Sequence, residues 1–180
     1  IKGSVLINDI DTKIISNKSL YKGISAVFQD YRRYKMNLED NISISSFEKM
    51  EKIKNNKKEL DEAVLKSGLI MDDKKFNKGY DTMLSREFDG VDLSGGQWQR
   101  IAIARGFYKF HNMIVLDEPT AAIDPVEESR IYEKFKEMSK GKTSIIVTHR
   151  LGSAKIDDRI VVMDSGQVVE IGTHDELMKN

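Results

Sequence analysis

Two acidic side chains stand together at Asp117-Glu118, directly after the apolar run Met113-Ile114-Val115-Leu116 and before Pro119. A short, uniformly apolar run reads as a strand buried on both faces, and the proline keeps it from simply continuing. In open α/β sheets, ligands gather at the carboxyl ends of strands. Strand side chains alternate between faces, so neighbouring carboxylates can take different tasks. One can hold Mg²⁺, directly or through water. Glu118 is placed to polarise a water for attack on a phosphoryl group. Two surface carboxylates closing a strand would look the same in sequence.

A second group, Ser94-Gly95-Gly96-Gln97, opens a predicted helix. Helix N-termini carry unpaired N–H groups and a partial positive charge. Two glycines let an anion approach the backbone closely, and Ser94 can donate through its hydroxyl. This is a phosphate-binding device without a lysine, although a glycine-rich loop with an N-cap has the same pattern. His149 follows Ile145-Ile146-Val147-Thr148, again at a predicted strand end. A neutral imidazole there could bond a terminal phosphate and orient water; a lone histidine is also often structural. Gln29 follows Ala26-Val27-Phe28 and could offer its amide oxygen to Mg²⁺ or a water.

The elements that must position these groups alternate in type. Ser4–Ile7 and Ile24–Phe28 are β-rich, with turns or a helical turn between them. Phe47 to Ser67 has loosely helical apolar spacing, as two helices or one broken at the Lys/Asn-rich stretch Lys54–Lys58. A helix is predicted from Ser94, a good N-cap, to Phe110. Val126–Lys140 is a helix started by Pro125 and stopped by Gly141. Thr143–Val147 reads as another buried strand. Arg159–Met163 and Gln167–Ile171 flank Asp164-Ser165-Gly166, a hairpin signal, and Asp175–Met178 closes as a short helix. Strand, helix, strand implies a parallel α/β core. The expected organisation is a core in two parts, residues 1–30 and 106–180, with a helical subdomain inserted at 31–105.

The 180 residues carry 29 basic and 29 acidic side chains, and the zero net charge argues against a dedicated nucleic-acid binder. With 0 cysteines there is neither a disulfide nor a thiolate metal site. No apolar run is long enough to span a bilayer, so a membrane connection is expected to come through other sequence. The chain opens at Ile1-Lys2-Gly3 without an initiator Met, which reads as a fragment, and its Lys/Asn/Ile-rich composition fits an AT-rich bacterial genome.

Taken together and in this order, the motifs resemble the nucleotide-binding domain of ABC transporters, most closely the exporter type. Val27-Phe28-Gln29-Asp30 resembles the Q-loop, Leu93 to Arg100 the signature motif, and Met113 to Glu118 Walker B with the catalytic glutamate. Ala122-Ile123-Asp124 resembles the D-loop, Thr148-His149-Arg150 the switch histidine, and Gly166 to His174 the closing hairpin and helix of exporters. The resemblance covers essentially the whole chain. It implies a P-loop NTPase core of ABC type with a truncated parallel sheet, flanking helices and the inserted helical subdomain.

The same resemblance implies ATP as substrate with Mg²⁺, Gln29 and Asp117 in the metal and water shell, Glu118 as general base and His149 as the γ-phosphate contact. It implies that Ser94, Gly95, Gly96 and Gln97 contact nucleotide held by a second cassette in a head-to-tail dimer, with Asp124 coupling the two sites. The partners implied are that second cassette and a transmembrane domain, at the cytoplasmic face of the cell membrane. Coupling helices would dock near Asp30–Ile42, where Tyr31, Tyr34 and Met36 offer anchors or local packing. Trp98 lies near the subunit interface or packs in the helical subdomain.

No Gly-x-x-x-x-Gly-Lys-Ser/Thr phosphate loop occurs in the sequence. Without those donors the polypeptide alone is expected to bind ATP weakly and to hydrolyse it negligibly. Loss of the associated strand and helix is expected to expose apolar surface and favour self-association. Two other readings are a non-transport ABC ATPase and a noncatalytic interaction fragment. The interval from Gln29 to Ser94 has no sustained heptads, which disfavours the coiled-coil chromosome type.

Overall fold

A computed structural model describes residues 3–46, 57–72, 74–109, 111–120, 123, 125–149 and 157–179. The chain first forms a small hairpin, β1 (Leu6–Ile7) and β2 (Ile10–Asp11). Its two turn residues, Asn8 and Asp9, both take left-handed backbone at φ 50° and 63°, a conformation short polar side chains tolerate. Helix α1 (Asn17–Lys22) follows, its start fixed by the Ser16 hydroxyl accepting the Ser19 N–H.

The central sheet has three parallel strands, β3 (Ile24–Val27), β4 (Met113–Asp117) and β5 (Thr143–Val147), in the order β3-β4-β5. Val27 pairs with Leu116 and Leu116 with Ile146. Side-chain alternation then sorts the sheet into two unlike faces. Ser25, Val27, Ile114 and Leu116 are buried on one of them, under helix α4 (Gly95–Tyr108). The helix approaches so closely at Gly106 that a Cβ there would lie 2.5 Å from Val27 Cγ2. The Ser25 hydroxyl donates to the Gly106 carbonyl at 2.9 Å. Helix α5 (Pro125–Met138) extends this core, with the Phe107 and Phe135 ring centroids 4.9 Å apart.

The opposite face carries Ala26, Val115, Ile145 and, one pleat further on, Asp117 and Val147. Here the expectation of strands buried on both faces is corrected. β4 is fully buried on one face and half-buried on the other, and β5 is mostly exposed, with Ile145 at 44% and Val147 at 51%. The reason is that an apolar run reports what a strand needs covered, not which segment covers it. β5 is the sheet edge here, and among the described residues nothing hydrogen-bonds as a further strand beyond it.

The helical stretch is built around α2 (Leu38–Ser43) and α3 (Lys57–Ser67). α2 is six residues long and was not expected. Its signal is the Asn37 cap, whose side chain accepts the Asp40 N–H at 2.7 Å, and two fully buried apolar positions, Leu38 and Ile42. α3 buries Leu60, Ala63 and Val64 and packs on α4. Residues 47–56 of the predicted helical stretch lie outside the described residues. Trp98 is 6% exposed and belongs to the core of this region.

The predicted closing hairpin is formed by β6 (Ile160–Asp164) and β7 (Gln167–Gly172). Its turn, Ser165-Gly166, has φ 49° and 77°, the geometry a two-residue hairpin prefers. Helix α6 (His174–Leu177) follows, closed by a capping box between Thr173 and Glu176. No helix among the described residues is long and apolar enough to cross a membrane.

His111 links α4 to β4. It is 3% exposed, and its Nδ1–H donates to the Lys109 carbonyl at 2.7 Å. Burial holds its imidazole below the ordinary value, aided by the nearby Lys142 and Lys109 charges and opposed by the carbonyl bond. The unfolded chain therefore takes up the proton first as pH falls. This stability is intact above the unfolded value, about 6.5, and is lost as pH falls from there through the lower folded value. Thermal unfolding midpoints should fall between pH 7.5 and 5.5, and His111→Gln should remove part of that slope.

Candidate functional site at the carboxyl ends of the strands

The parallel register aligns the carboxyl ends of the three strands, and each carries a residue singled out above. β4 ends on Asp117, paired in register with Val147 of β5. Gln29 is exposed just past the end of β3. His149 lies two residues beyond the end of β5.

Glu118 leaves β4 with φ 44°, a left-handed conformation that a glutamate rarely adopts. Strained backbone of this kind persists only where its surroundings hold it. Here the Glu118 N–H donates to the Val147 carbonyl at 3.0 Å. Beyond it, Pro119 and Thr120 are buried. The Thr120 hydroxyl donates to Glu128 Oε1 at 2.7 Å and lies 3.4 Å from the Tyr132 hydroxyl. The carboxylate that emerges is three-quarters buried and accepts a bond from His149 Nδ1 at 2.7 Å, while the imidazole itself is 69% exposed. Glu118 and His149 thus come together from adjacent strands. The Thr120, Glu128 and Tyr132 cluster two residues past Glu118 has no signal in the sequence, where Glu128 and Tyr132 are only positions on a helix.

The Ser94 helix start is built as predicted and more tightly. Ser94 Oγ accepts the Gln97 N–H at 3.2 Å, and Gln97 Oε1 accepts the Ser94 N–H at 3.0 Å, a reciprocal capping box. Lys75 Nζ also donates to Gln97 Oε1, at 2.9 Å. Gly95 has no internal reason to be glycine. Its φ is not left-handed, and a Cβ built on it meets nothing within 4 Å among the described residues. The space above Gly95 is open.

The segment after Gln29 packs inward. The Tyr31 hydroxyl donates to the Gly95 carbonyl at 2.8 Å. Tyr34 lies under the Arg105 guanidinium, 4.9 Å from ring centroid to Cζ. The Met36 carbonyl accepts the Leu84 N–H at 3.0 Å. Arg105 donates to the Asn41 carbonyl, Asn41 Oδ1 and the Arg32 carbonyl at 2.6–2.7 Å. Burial lowers its pKa to about 10, opposed by Tyr34, which leaves it charged at neutral pH. Asp124 lies outside the described residues.

A parallel α/β sheet with acids closing its central strand, and a glycine-bearing helix start tied to the segment that leaves β3, is an arrangement that nucleotide-binding folds use. The comparisons agree. Residues 1–121 match the family model described as ABC transporter. The chain is 39% identical over 179 residues to the subtilin transport ATP-binding protein SpaT of Bacillus subtilis, covering 99% of this chain and 28% of that protein. It is 37% identical over 182 residues to the nisin transport ATP-binding protein NisT of Lactococcus lactis subsp. lactis, covering 98% and 29%. A bacterial Atm1-family ABC exporter solved with ATP bound superposes with a TM-score of 0.85 at 28% identity, over 99% of this chain and 30% of that one. The chain belongs to the ABC transporter family, whose members carry nucleotide-binding ATPase domains. It spans less than a third of the length of these relatives.

Proposed function

We propose that this chain is part of the ATP-hydrolysing cassette of an ABC exporter, acting as one half of a head-to-tail pair at the cytoplasmic face of a bacterial cell membrane. The observation that carries this reading is Glu118, held in left-handed backbone at the end of β4 and bonded at 2.7 Å to His149 beyond β5. Glu118 is the general base that takes the proton of the attacking water. His149 donates its single neutral N–H to that carboxylate here, and with nucleotide bound it turns that donor to the γ-phosphate. Residues 31–105 form the helical subdomain between core segments 1–30 and 106–180. Its Ser94–Gln97 edge faces nucleotide held by the second cassette, and Asp124 couples the two sites. Nucleic acid is not a partner.

The donor chemistry fits Mg²⁺. Asp117 and Gln29 supply hard oxygen ligands, and no group of three or more His, Cys, Asp or Glu among the described residues could hold a metal alone. Mg²⁺ is commonly bound by one or two carboxylates plus substrate phosphates. When bound, the ion neutralises phosphate charge.

The 180-residue polypeptide contains no phosphate loop. Losing one preorganised transition-state donor costs about 3 kcal/mol, and a phosphate loop supplies several. The isolated polypeptide should therefore bind MgATP weakly and turn it over negligibly, whereas the full-length transporter hydrolyses it. Calorimetric titration and steady-state phosphate release on both proteins test this. Turnover by the isolated polypeptide that Glu118→Gln abolishes would overturn it. The open sheet face at Ala26, Ile145 and Val147 supports self-association of the isolated polypeptide; a clean monomer by light scattering at high concentration would count against that.

A further inference from the structure

The segment leaving β3 is fastened to α4 at two places. Near the start of the helix, the half-buried Tyr31 hydroxyl bonds the Gly95 carbonyl at 2.8 Å. Ten residues along the helix, Arg105 bonds the Arg32 and Asn41 carbonyls and stacks over Tyr34. The Asn41 side-chain amide returns to the carbonyls of Tyr34, Met36 and Asn37, each at 3.0 Å. The Arg105 fastening is buried and multiply bonded. The Tyr31 fastening is a single hydroxyl, two residues past Gln29, on the carbonyl of the first residue of the helix that Ser94 caps.

We propose that Tyr31 is a positioning residue whose hydroxyl links the exit of β3 to the Ser94–Gln97 helix start, so that this edge is held in a set orientation to the strand-end residues. An apolar ring would suffice if Tyr31 were only packing. The hydroxyl is what reaches Gly95. Arg105 anchors the distal half of the same segment, so removing the Tyr31 bond leaves the subdomain assembled and frees only the helix start. The functional part of this inference rests on the proposed hydrolysis, because the Ser94–Gln97 edge then acts on γ-phosphate held by the partner cassette. Its misplacement should slow turnover without weakening nucleotide binding.

Tyr31→Phe tests the hydroxyl, with Tyr34→Phe as the control because it keeps the ring beneath Arg105. Hydrogen–deuterium exchange on the 180-residue chain should show Tyr31→Phe raising exchange at the bonded amides of Gln97 and Trp98 by about 3- to 10-fold, the size of one neutral hydrogen bond, with the unfolding midpoint nearly unchanged. Tyr34→Phe should leave exchange there unaltered. In the full-length transporter, Tyr31→Phe should lower kcat for ATP about 3- to 10-fold at unchanged KM. Unchanged exchange at the helix start overturns the link. Raised exchange with unchanged kcat, while Glu118→Gln still abolishes turnover, overturns the functional role and leaves the hydrolysis reading standing. If Glu118→Gln leaves turnover intact, it is the hydrolysis reading that fails.

Discussion

Replacing Glu118 by glutamine should lower ATP turnover by the full-length transporter by about two to four orders of magnitude, the usual contribution of a positioned general base. Glutamine keeps the length of the side chain and an oxygen that can still accept from His149 Nδ1. It cannot take a proton from water. The backbone at Glu118 is set by the bond from its own N–H to Val147 and by the buried Pro119-Thr120 that follow. None of these depends on the carboxylate, so the fold and nucleotide binding should survive. KM for ATP should therefore change little while kcat collapses. His149→Ala should give a smaller loss, because it removes the group that orients the carboxylate and leaves the base itself.

Gly90→Ala should have the largest effect on stability of any single-methyl change in the helical region. A Cβ on Gly90 would fall 2.1 Å from the Met83 carbonyl oxygen and 2.6 Å from its carbonyl carbon. Those are backbone atoms, so no side chain can swing aside. The same carbonyl accepts the Val91 N–H at 2.9 Å, and Gly90 N–H donates to the Ser85 carbonyl at 2.9 Å. This tight return delivers the chain from Met83 to Leu93 and Ser94. Overpacking costs about 1–3 kcal/mol where the surroundings can relax, and here they relax only by breaking those bonds. The expected loss is about 3 kcal/mol, an unfolding midpoint lower by roughly 6–12 °C for a domain of this size. Gly95→Ala should leave the midpoint unchanged or slightly raised, since its Cβ meets none of the described residues. Its cost should appear in turnover instead.

The parts of this architecture legible in the sequence were those with a local physical signature. Ser94 reads as an N-cap, Asp164-Ser165-Gly166 as a hairpin signal, and the β4–α5–β5 alternation as parallel pairing; the reciprocal bond from Gln97 and the two-residue length of the turn come from the structure. Glu118 and His149 were individually recognisable as strand-end residues. Their direct contact depends on the β4–β5 register, which alternation alone does not fix. α2 was missed because six residues give little periodicity and its cap is one asparagine in a polar stretch. β5 reads as buried in the sequence because Ile145 and Val147 record a need for cover that the described residues do not meet. The Tyr31–Gly95 bond joins residues 64 apart, and only the folded chain brings them together.

The proposed cassette requires that the Ser94–Gln97 edge work on nucleotide supplied by another cassette. The chain has 0 cysteines, so Asp92→Cys provides one thiol for an environment-sensitive dye on an exposed side chain two residues before Ser94, beside the edge and not in it. Labelled chain should be titrated with MgATP alone, with the complete nucleotide-binding domain of the full-length transporter alone, and with both. The dye should respond only when domain and nucleotide are present together. A response to MgATP alone, or none with both, would contradict the account.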